Sequence, residues 1–180
     1  MTGVLYVVST PIGNLGDITS RALDVLSKVD FIASEDTRVT RRLLSYFKIS
    51  NRCISYHDKN EIFKSQELVE SLQEGNSIAL VSDAGTPCIS DPGYRVVNLA
   101  RKLNIEVVSI PGPSAIISAL SISGLPTDHF FFEGFLPKKK GRQTRFKFLM
   151  SLDVSIVIYE SPNRVIKTFN DISEYMGSDR

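Results

Sequence analysis

Three short segments carry an unusual load of glycine, proline and small hydroxyl residues: Ser9-Thr-Pro-Ile-Gly-Asn-Leu-Gly-Asp17, Ser82-Asp-Ala-Gly-Thr-Pro87 and Ser109-Ile-Pro-Gly-Pro-Ser114. Glycine and proline hold backbone in fixed, sometimes left-handed geometry and let a ligand approach the main chain closely. Within the second segment Asp83 is a short acceptor suited to a hydroxyl or an ammonium group. Ser114 stands where it could cap a following helix and leave N–H groups free. Any one of these segments also reads as an ordinary tight turn; three of them at strand ends point to a shared ligand site. None is Gly-x-Gly-x-x-Gly, and Gly13-Asn-Leu-Gly16 lacks the Gly-Lys-Ser/Thr of a phosphate loop. That disfavours dinucleotide and nucleoside triphosphate sites. The same Gly13-x-x-Gly16 has the spacing of a KH-domain backbone clamp, but in the wrong strand context.

Ser34-Glu-Asp-Thr-Arg38 places two adjacent carboxylates, Glu35 and Asp36, at a helix start. They could do acid–base work, or simply stabilise the helix N-terminus. Arg38, Arg41 and Arg42 are spaced three and four apart, so they share a helix face that suits phosphates or plain solvent. Lys138, Lys139, Lys140 and Arg142, with Arg145 and Lys147 beyond, form the densest positive stretch and suit a polyanion. In Tyr159-Glu-Ser-Pro-Asn-Arg164, Ser161 reads as a cap and Pro162 as a first-turn residue. Glu160 and Arg164 are left to face a strand-end cleft. His57 and His129 are isolated, and Cys88 has no base near it in sequence.

These residues need a frame. Val4–Ser9, Val29–Ser34, Ile78–Ser82 and Val107–Ile110 are continuous apolar runs, as strands buried on both faces of a parallel sheet are; Cys53–Tyr56 is a weaker candidate. Between them, Ile18, Ala22, Val25 and Val29 keep a helical period behind a capping Asp17, and Asn60 to Gly75 is bounded by a cap residue and a glycine. Asp91-Pro92 predicts a capped helix with Val96, Val97, Ala100 and Leu103 as its buried face. The alternation predicts an α/β domain with a mostly parallel sheet flanked by helices over 1–112. Near Gly124 the pattern changes, and part of a second α/β domain is expected over 113–180. It holds strands at Phe130–Phe132 and Ser155–Tyr159, a helix ending near Leu152, and a helix striped by Val165, Ile166, Phe169 and Ile172.

The 180 residues carry 42% hydrophobic and 23% charged residues and a formal net charge of +1, which excludes a protein that coats nucleic acid non-specifically but leaves room for a basic patch. No apolar run approaches a membrane span, and the N-terminus lacks a signal pattern. Two distant cysteines, Cys53 and Cys88, without Cys-x-x-Cys or a paired histidine, read as a reduced cytoplasmic protein with no structural metal.

Read together, TPIGNLGDIT (10–19), ASEDTR (33–38), TRRLL (40–44), ALVSDAGTPCISDPGYR (79–95), PGPSA (111–115), GLPTDHFFFEGFLP (124–137) and YESPNR (159–164) resemble the tetrapyrrole-methylase-like class of methyltransferases, closest to its ribosomal-RNA-methylating members. The resemblance implies two α/β domains with S-adenosylmethionine in the cleft between them, a homodimer, and 2′-O-methylation of a cytidine in small-subunit ribosomal RNA. Carried over by position, it puts cofactor contacts on Pro11, Ile12 and Gly13, on Asp83, Ala84, Gly85 and Thr86, and on Pro113, Ser114 and Ala115. Glu35, Asp36 and Glu160 become the candidates for a general base, and Arg38, Arg41, Arg42, Lys138–Lys140 and Arg142 for RNA contacts. Members of the class continue past the position of Arg180 with an Ala-Arg-Glu-Leu-Thr-like strand end, so a fragment is expected here. Tyr56-His-Asp-Lys-Asn60 also departs from the usual form, in which an acid and a second histidine follow His57. A methylase of a tetrapyrrole or another small substrate, and a non-catalytic binding or dimerisation module, stand as alternatives.

Overall fold

The computed structural model describes residues 2–178, in two compact units, Met1–Ala115 and Ile116–Arg180. The first unit holds a five-stranded sheet of β1 (Val4–Val8), β2 (Phe31–Ser34), β3 (Cys53–Ser55), β4 (Ile78–Val81) and β5 (Glu106–Ile110), in the order β3-β2-β4-β1-β5. Every neighbouring pair is parallel. The apolar runs are continuous because consecutive residues serve opposite faces. Ala33, Leu80 and Leu5 enter one core cluster with Leu68, Leu72, Val96 and Ala100. Ile32, Ala79, Val81 and Val8 enter the other with Ala22, Leu26 and Leu44. The expected α/β sheet is therefore the observed one.

Helices α1 (Ser20–Lys28) and α2 (Thr37–Tyr46) contribute to the second cluster, and α3 (Glu61–Gln73) and α4 (Tyr94–Lys102) to the first. The chain therefore leaves β1 and β4, which are adjacent, toward opposite faces of the sheet. Such a divergence opens a crevice beyond the strands' carboxyl ends, where ligands bind in open α/β sheets.

Three helix starts differ from the sequence expectation. Asp17 does not cap α1; it ends a short 3₁₀ turn, Leu15–Asp17, and Thr19 instead accepts the Ala22 N–H at 3.1 Å. Asp91-Pro92 does not open α4, which begins at Tyr94 behind Gly93. Gly93 has φ +141°, and a Cβ there would lie 2.5 Å from Cys88 Sγ and 2.9 Å from Leu80 Cδ2. The Cys88 N–H donates to the Pro92 carbonyl at 3.3 Å, so residues 88–92 close on themselves before the helix can start. Asn60 precedes α3 without a side-chain cap bond; its amide closes the 57–60 turn on the His57 N–H at 2.8 Å.

The second unit pairs β6 (Phe130–Phe135) with β7 (Ser155–Tyr159) in parallel, joined through α6 (Arg142–Met150). A 3₁₀ turn, Pro162–Arg164, leads into α7 (Val165–Met176), and α5 (Ala115–Ser123) precedes the pair. Leu136, Phe146 and Leu149 form its core with Phe131, Ile156, Ile158 and Ile172. Among the described residues no helix is long and apolar enough to cross a membrane.

Because both its φ and its surroundings exclude a side chain, Gly93→Ala is expected to cost about 1–3 kcal/mol of stability. Urea unfolding reads this as a lower midpoint with unchanged slope; an unmoved midpoint would mean the 88–93 turn does not constrain the fold.

Candidate active site

The three glycine- and proline-bearing loops meet at the end of β1. The Ser9 N–H donates to the Ile110 carbonyl at 3.3 Å, and its hydroxyl bonds the Thr86 hydroxyl at 2.9 Å. Gly112 lies so close that a Cβ there would be 2.9 Å from Ser9 Cβ. Thr10 exchanges two backbone bonds with Gly85, at 2.9 and 3.0 Å, and its hydroxyl donates to the Ser82 carbonyl at 3.2 Å. Ser9 and Thr10 are both buried, so these polar contacts are not optional. The expected cofactor residues Pro11, Ile12, Gly13, Ala84, Gly85, Thr86, Pro113, Ser114 and Ala115 all belong to these joined loops. Gly13 has φ +144° and open space where a Cβ would stand, which leaves its backbone approachable.

Acidic side chains crowd the same sheet edge. Glu35 follows β2, Asp58 follows β3, and Asp83 and Asp91 follow β4. Partial burial holds the Glu35 carboxyl above its ordinary range, with the charges of Asp83, Asp91 and Asp58 adding to the shift; the Asp83 amide offsets only part of it. Asp91 is raised for the same first reason, burial, with Asp83 and Asp58 adding and the Ser82 hydroxyl opposing. Asp83 itself is exposed, and its Oδ1 accepts the Asp36 N–H at 3.0 Å, tying the β4 loop to the start of α2. Among the described residues no group of three or more His, Cys, Asp or Glu side chains is placed to hold a metal ion. The acids thus gather negative charge without chelating geometry, an environment that favours a cationic ligand and repels a phosphate.

Of the three base candidates, two are committed elsewhere. Asp36 caps α2 by accepting the Arg38 N–H at 2.8 Å and grips the Arg38 guanidinium at 2.7 Å, which holds its carboxyl far below the usual range. Glu160, in the second unit, accepts the Ser161 N–H at 2.7 Å and the Thr168 hydroxyl at 2.8 Å, and pairs with Arg164 at 2.5 Å. Its burial opposes the charge, but those donors win and its carboxyl lies below the ordinary range. Glu35 forms no ion pair, and the Asp83 amide is the one donor that opposes the rise in its carboxyl. Asp58 and the Ser9–Thr86 bond were not singled out in the sequence, and Asp91 was read only as a helix cap; a rule that inspected every acid just after a strand would have found Asp58, but not Asp91, which lies well beyond the end of β4. His57 also follows β3, with Nδ1 buried and lacking a hydrogen-bond partner.

Helix α2 flanks this edge with Arg38, Arg41 and Arg42 exposed and no acid of its own. A groove of about 320 Å³ runs between it and the ends of β1 and β4, lined among others by Pro11, Leu15, Leu43, Tyr46, Arg42 and Asp83.

A model of the tetrapyrrole (corrin/porphyrin) methylases matches residues 4–180. The chain belongs to that family. It is 53% identical over 178 residues to the ribosomal RNA small subunit methyltransferase I of Vibrio cholerae, covering 98% of this chain and 62% of the relative. The Escherichia coli O157:H7 protein of the same name is 52% identical, with 99% of this chain and 63% of the relative covered. The chain therefore spans a little under two thirds of the length of these relatives. Among solved structures, uroporphyrin-III C-methyltransferase from Thermus thermophilus superposes with a TM-score of 0.64 at 18% identity, over 96% of this chain and 74% of that one, which establishes a shared fold.

In this family member the basic run divides. Lys138, Lys139 and Lys140 are exposed. Arg142, expected beside them at the surface, is only 7% exposed. Its guanidinium pairs with Asp171 at 2.7 Å and donates to the Thr168 hydroxyl at 2.8 Å and the Pro137 carbonyl at 3.1 Å. A side chain so enclosed cannot hold RNA, and Arg142 is withdrawn from that set. Arg145 is likewise engaged, with Glu133 at 2.5 Å and over the Phe148 ring at 4.5 Å.

Two expectations follow. Arg142→Ala leaves Asp171 without its buried partner and should destabilise the fold by about 3–5 kcal/mol in chemical unfolding; a stable variant would return Arg142 to the surface. For Glu35, the raised folded-state value means that its stabilising contribution is full below the ordinary value of 4.5 and lost as pH rises through the raised one. Glu35→Gln should therefore raise Tm relative to the parent at neutral pH, with the gap closing as pH falls below the ordinary glutamate range. A gap that persists in acid would assign the gain to packing.

Proposed function

We propose that this chain binds S-adenosylmethionine on the loops joined at Ser9 and methylates the 2′-hydroxyl of a cytidine in small-subunit ribosomal RNA. The observation that carries the reading is the acidic, phosphate-repelling edge built around those loops within a methylase-family fold. The cofactor is cationic at its sulfur and its amino group, and four carboxylates stand where it would lie. The names of the relatives, ribosomal RNA small subunit methyltransferase I, support the RNA substrate, as do the exposed arginines of α2 and the lysines 138–140. The homodimer implied by the resemblance, and the cytoplasmic location read from the two distant cysteines, belong to the same proposal.

The residues fit the group. Pro11, Ile12, Gly13, Gly85, Pro113 and Ala115 offer backbone edges and small apolar contacts, and Ala84, Thr86 and Ser114 complete the rims. Asp83 presents a carboxylate oxygen beyond the one that accepts the Asp36 amide. When bound, the cofactor supplies a methyl group on a sulfonium, open to in-line attack by an oxygen. The protein's part is alignment and proton removal. Glu35 is the base this edge offers: outside any ion pair, and held above its ordinary range first by burial and then by the neighbouring acids. Arg38, Arg41 and Arg42 hold phosphates, Arg38 while also engaged by Asp36.

Labelled methyl transfer to small subunits from a strain lacking the activity tests this reading. Asp83→Asn keeps the acceptor for the Asp36 amide but removes the charge, and should weaken S-adenosylhomocysteine binding by about tenfold or more. Glu35→Gln should lower kcat by about two to four powers of ten with that binding unchanged. Label found in protein or tetrapyrrole rather than RNA would overturn the substrate, and unchanged rates for Glu35→Gln would overturn the base.

A further inference from the structure

We propose that the groove beside α2 seats the acceptor nucleoside itself, with its base stacked on Tyr46 and its flanking phosphate held by Arg42. This rests on the RNA reading above and adds the place where the RNA is read. At about 320 Å³ the groove is within the range of small-ligand sites. Its walls combine an apolar side, from Leu15, Val39, Leu43 and Tyr46, with Arg42 and, at the ends of β1 and β4, Thr10 and Asp83.

Tyr46 is the exposed aromatic residue that lines this groove. It is 64% exposed at the last turn of α2, whereas a large aromatic ring is usually withdrawn from water. The Phe47 ring meets it edge-on, with centroids 4.9 Å apart and planes at 80°, and Phe47 itself packs on the core. The ring is thus held in place with most of its surface open, as a stacking platform requires. Arg42, one turn earlier, donates through Nε to the Arg38 carbonyl at 3.4 Å. Its terminal nitrogens bond no other group among the described residues. An apolar slot rimmed by unpaired arginine on an acid-free helix matches a base carried on a phosphodiester, and a neutral protein partner would not need the charge. Asp83 belongs both to the groove and to the proposed cofactor loops, so a nucleoside seated here lies beside the methyl donor, as direct transfer demands.

Steady-state methylation of small subunits and calorimetry with S-adenosylhomocysteine, both on the 180-residue chain, test the assignment. Tyr46→Ala should raise KM for the subunit about 5- to 100-fold. Its affinity for S-adenosylhomocysteine should stay unchanged, and Tyr46→Phe, which keeps the ring, should behave as the parent. Arg42→Ala should raise KM and reduce the salt dependence by about one phosphate contact. An unchanged KM for Tyr46→Ala overturns the stacking role. Loss of S-adenosylhomocysteine binding in that variant gives the groove to the cofactor instead. A parent enzyme that methylates no RNA overturns the functional reading as well, a failure seen without any variant.

Discussion

The site hangs on Ser9, the residue that follows β1. Ser9 touches all three ligand loops: its amide holds the β5 end, its hydroxyl holds Thr86, and its Cβ sets how closely Gly112 can approach. Thr10 then adds two backbone bonds to Gly85, a short antiparallel bridge grafted onto a parallel sheet. Loops at strand ends are ordinarily the mobile part of an α/β fold. Here a central strand, flanked by β4 and β5, extends its own rigidity into them. The glycines and prolines that looked like ligand-binding chemistry in the sequence serve this junction first. They allow three chains to converge at one buried serine, and the approachable backbone is what remains on the outside.

Given that junction, charge decides what can sit on it. Four carboxylates follow three adjacent strands, and among the described residues none of the four is in an ion pair with a lysine or arginine. Arg38 is drawn off by Asp36, and the Glu61 carboxylate engages Arg95 and the Gly93 amide on the other side of α4's start. The result is a local separation: acids at the strand ends, arginines on the outer face of α2. Burial that is only partly compensated leaves Glu35 and Asp91 with raised values, and such shifts are more common where chemistry is done than where a fold is merely held together.

How far the sequence could be read follows from the range of the interactions involved. The strands were legible because a residue buried on either face must be apolar, and that leaves a continuous run in the chain itself. The loops were legible because turn chemistry is local. Helix starts were less so. Thr19 and Asp17 are both competent caps two residues apart, and the choice is made by where the 3₁₀ turn ends. Asp91-Pro92 has the local form of a helix start, yet the start is displaced to Tyr94 by a closed turn and by Leu80, a residue of β4. Of the candidate site, the three glycine- and proline-bearing loops could be read directly. The acidic edge could not, since its members are brought together by the strand order β3-β2-β4, which no spacing in the chain announces.

Arg142 makes the same point from the second unit, where a charged residue in a basic run turns inward. Its partners Thr168 and Asp171 lie 26 and 29 residues away on α7, so nothing near it in sequence marks it as buried. Enclosure does not make it irrelevant to the lysines before it. Its guanidinium binds the Pro137 carbonyl and its amide donates to the Lys139 carbonyl at 3.2 Å, while Leu136 is anchored in the core. The segment carrying Lys138, Lys139 and Lys140 is thereby fixed at both ends. Three exposed ammonium groups on a tethered turn lose less conformational freedom on meeting a polyanion than the same three on a free loop. One arginine withdrawn from the surface thus serves the surface charge by holding its neighbours in place.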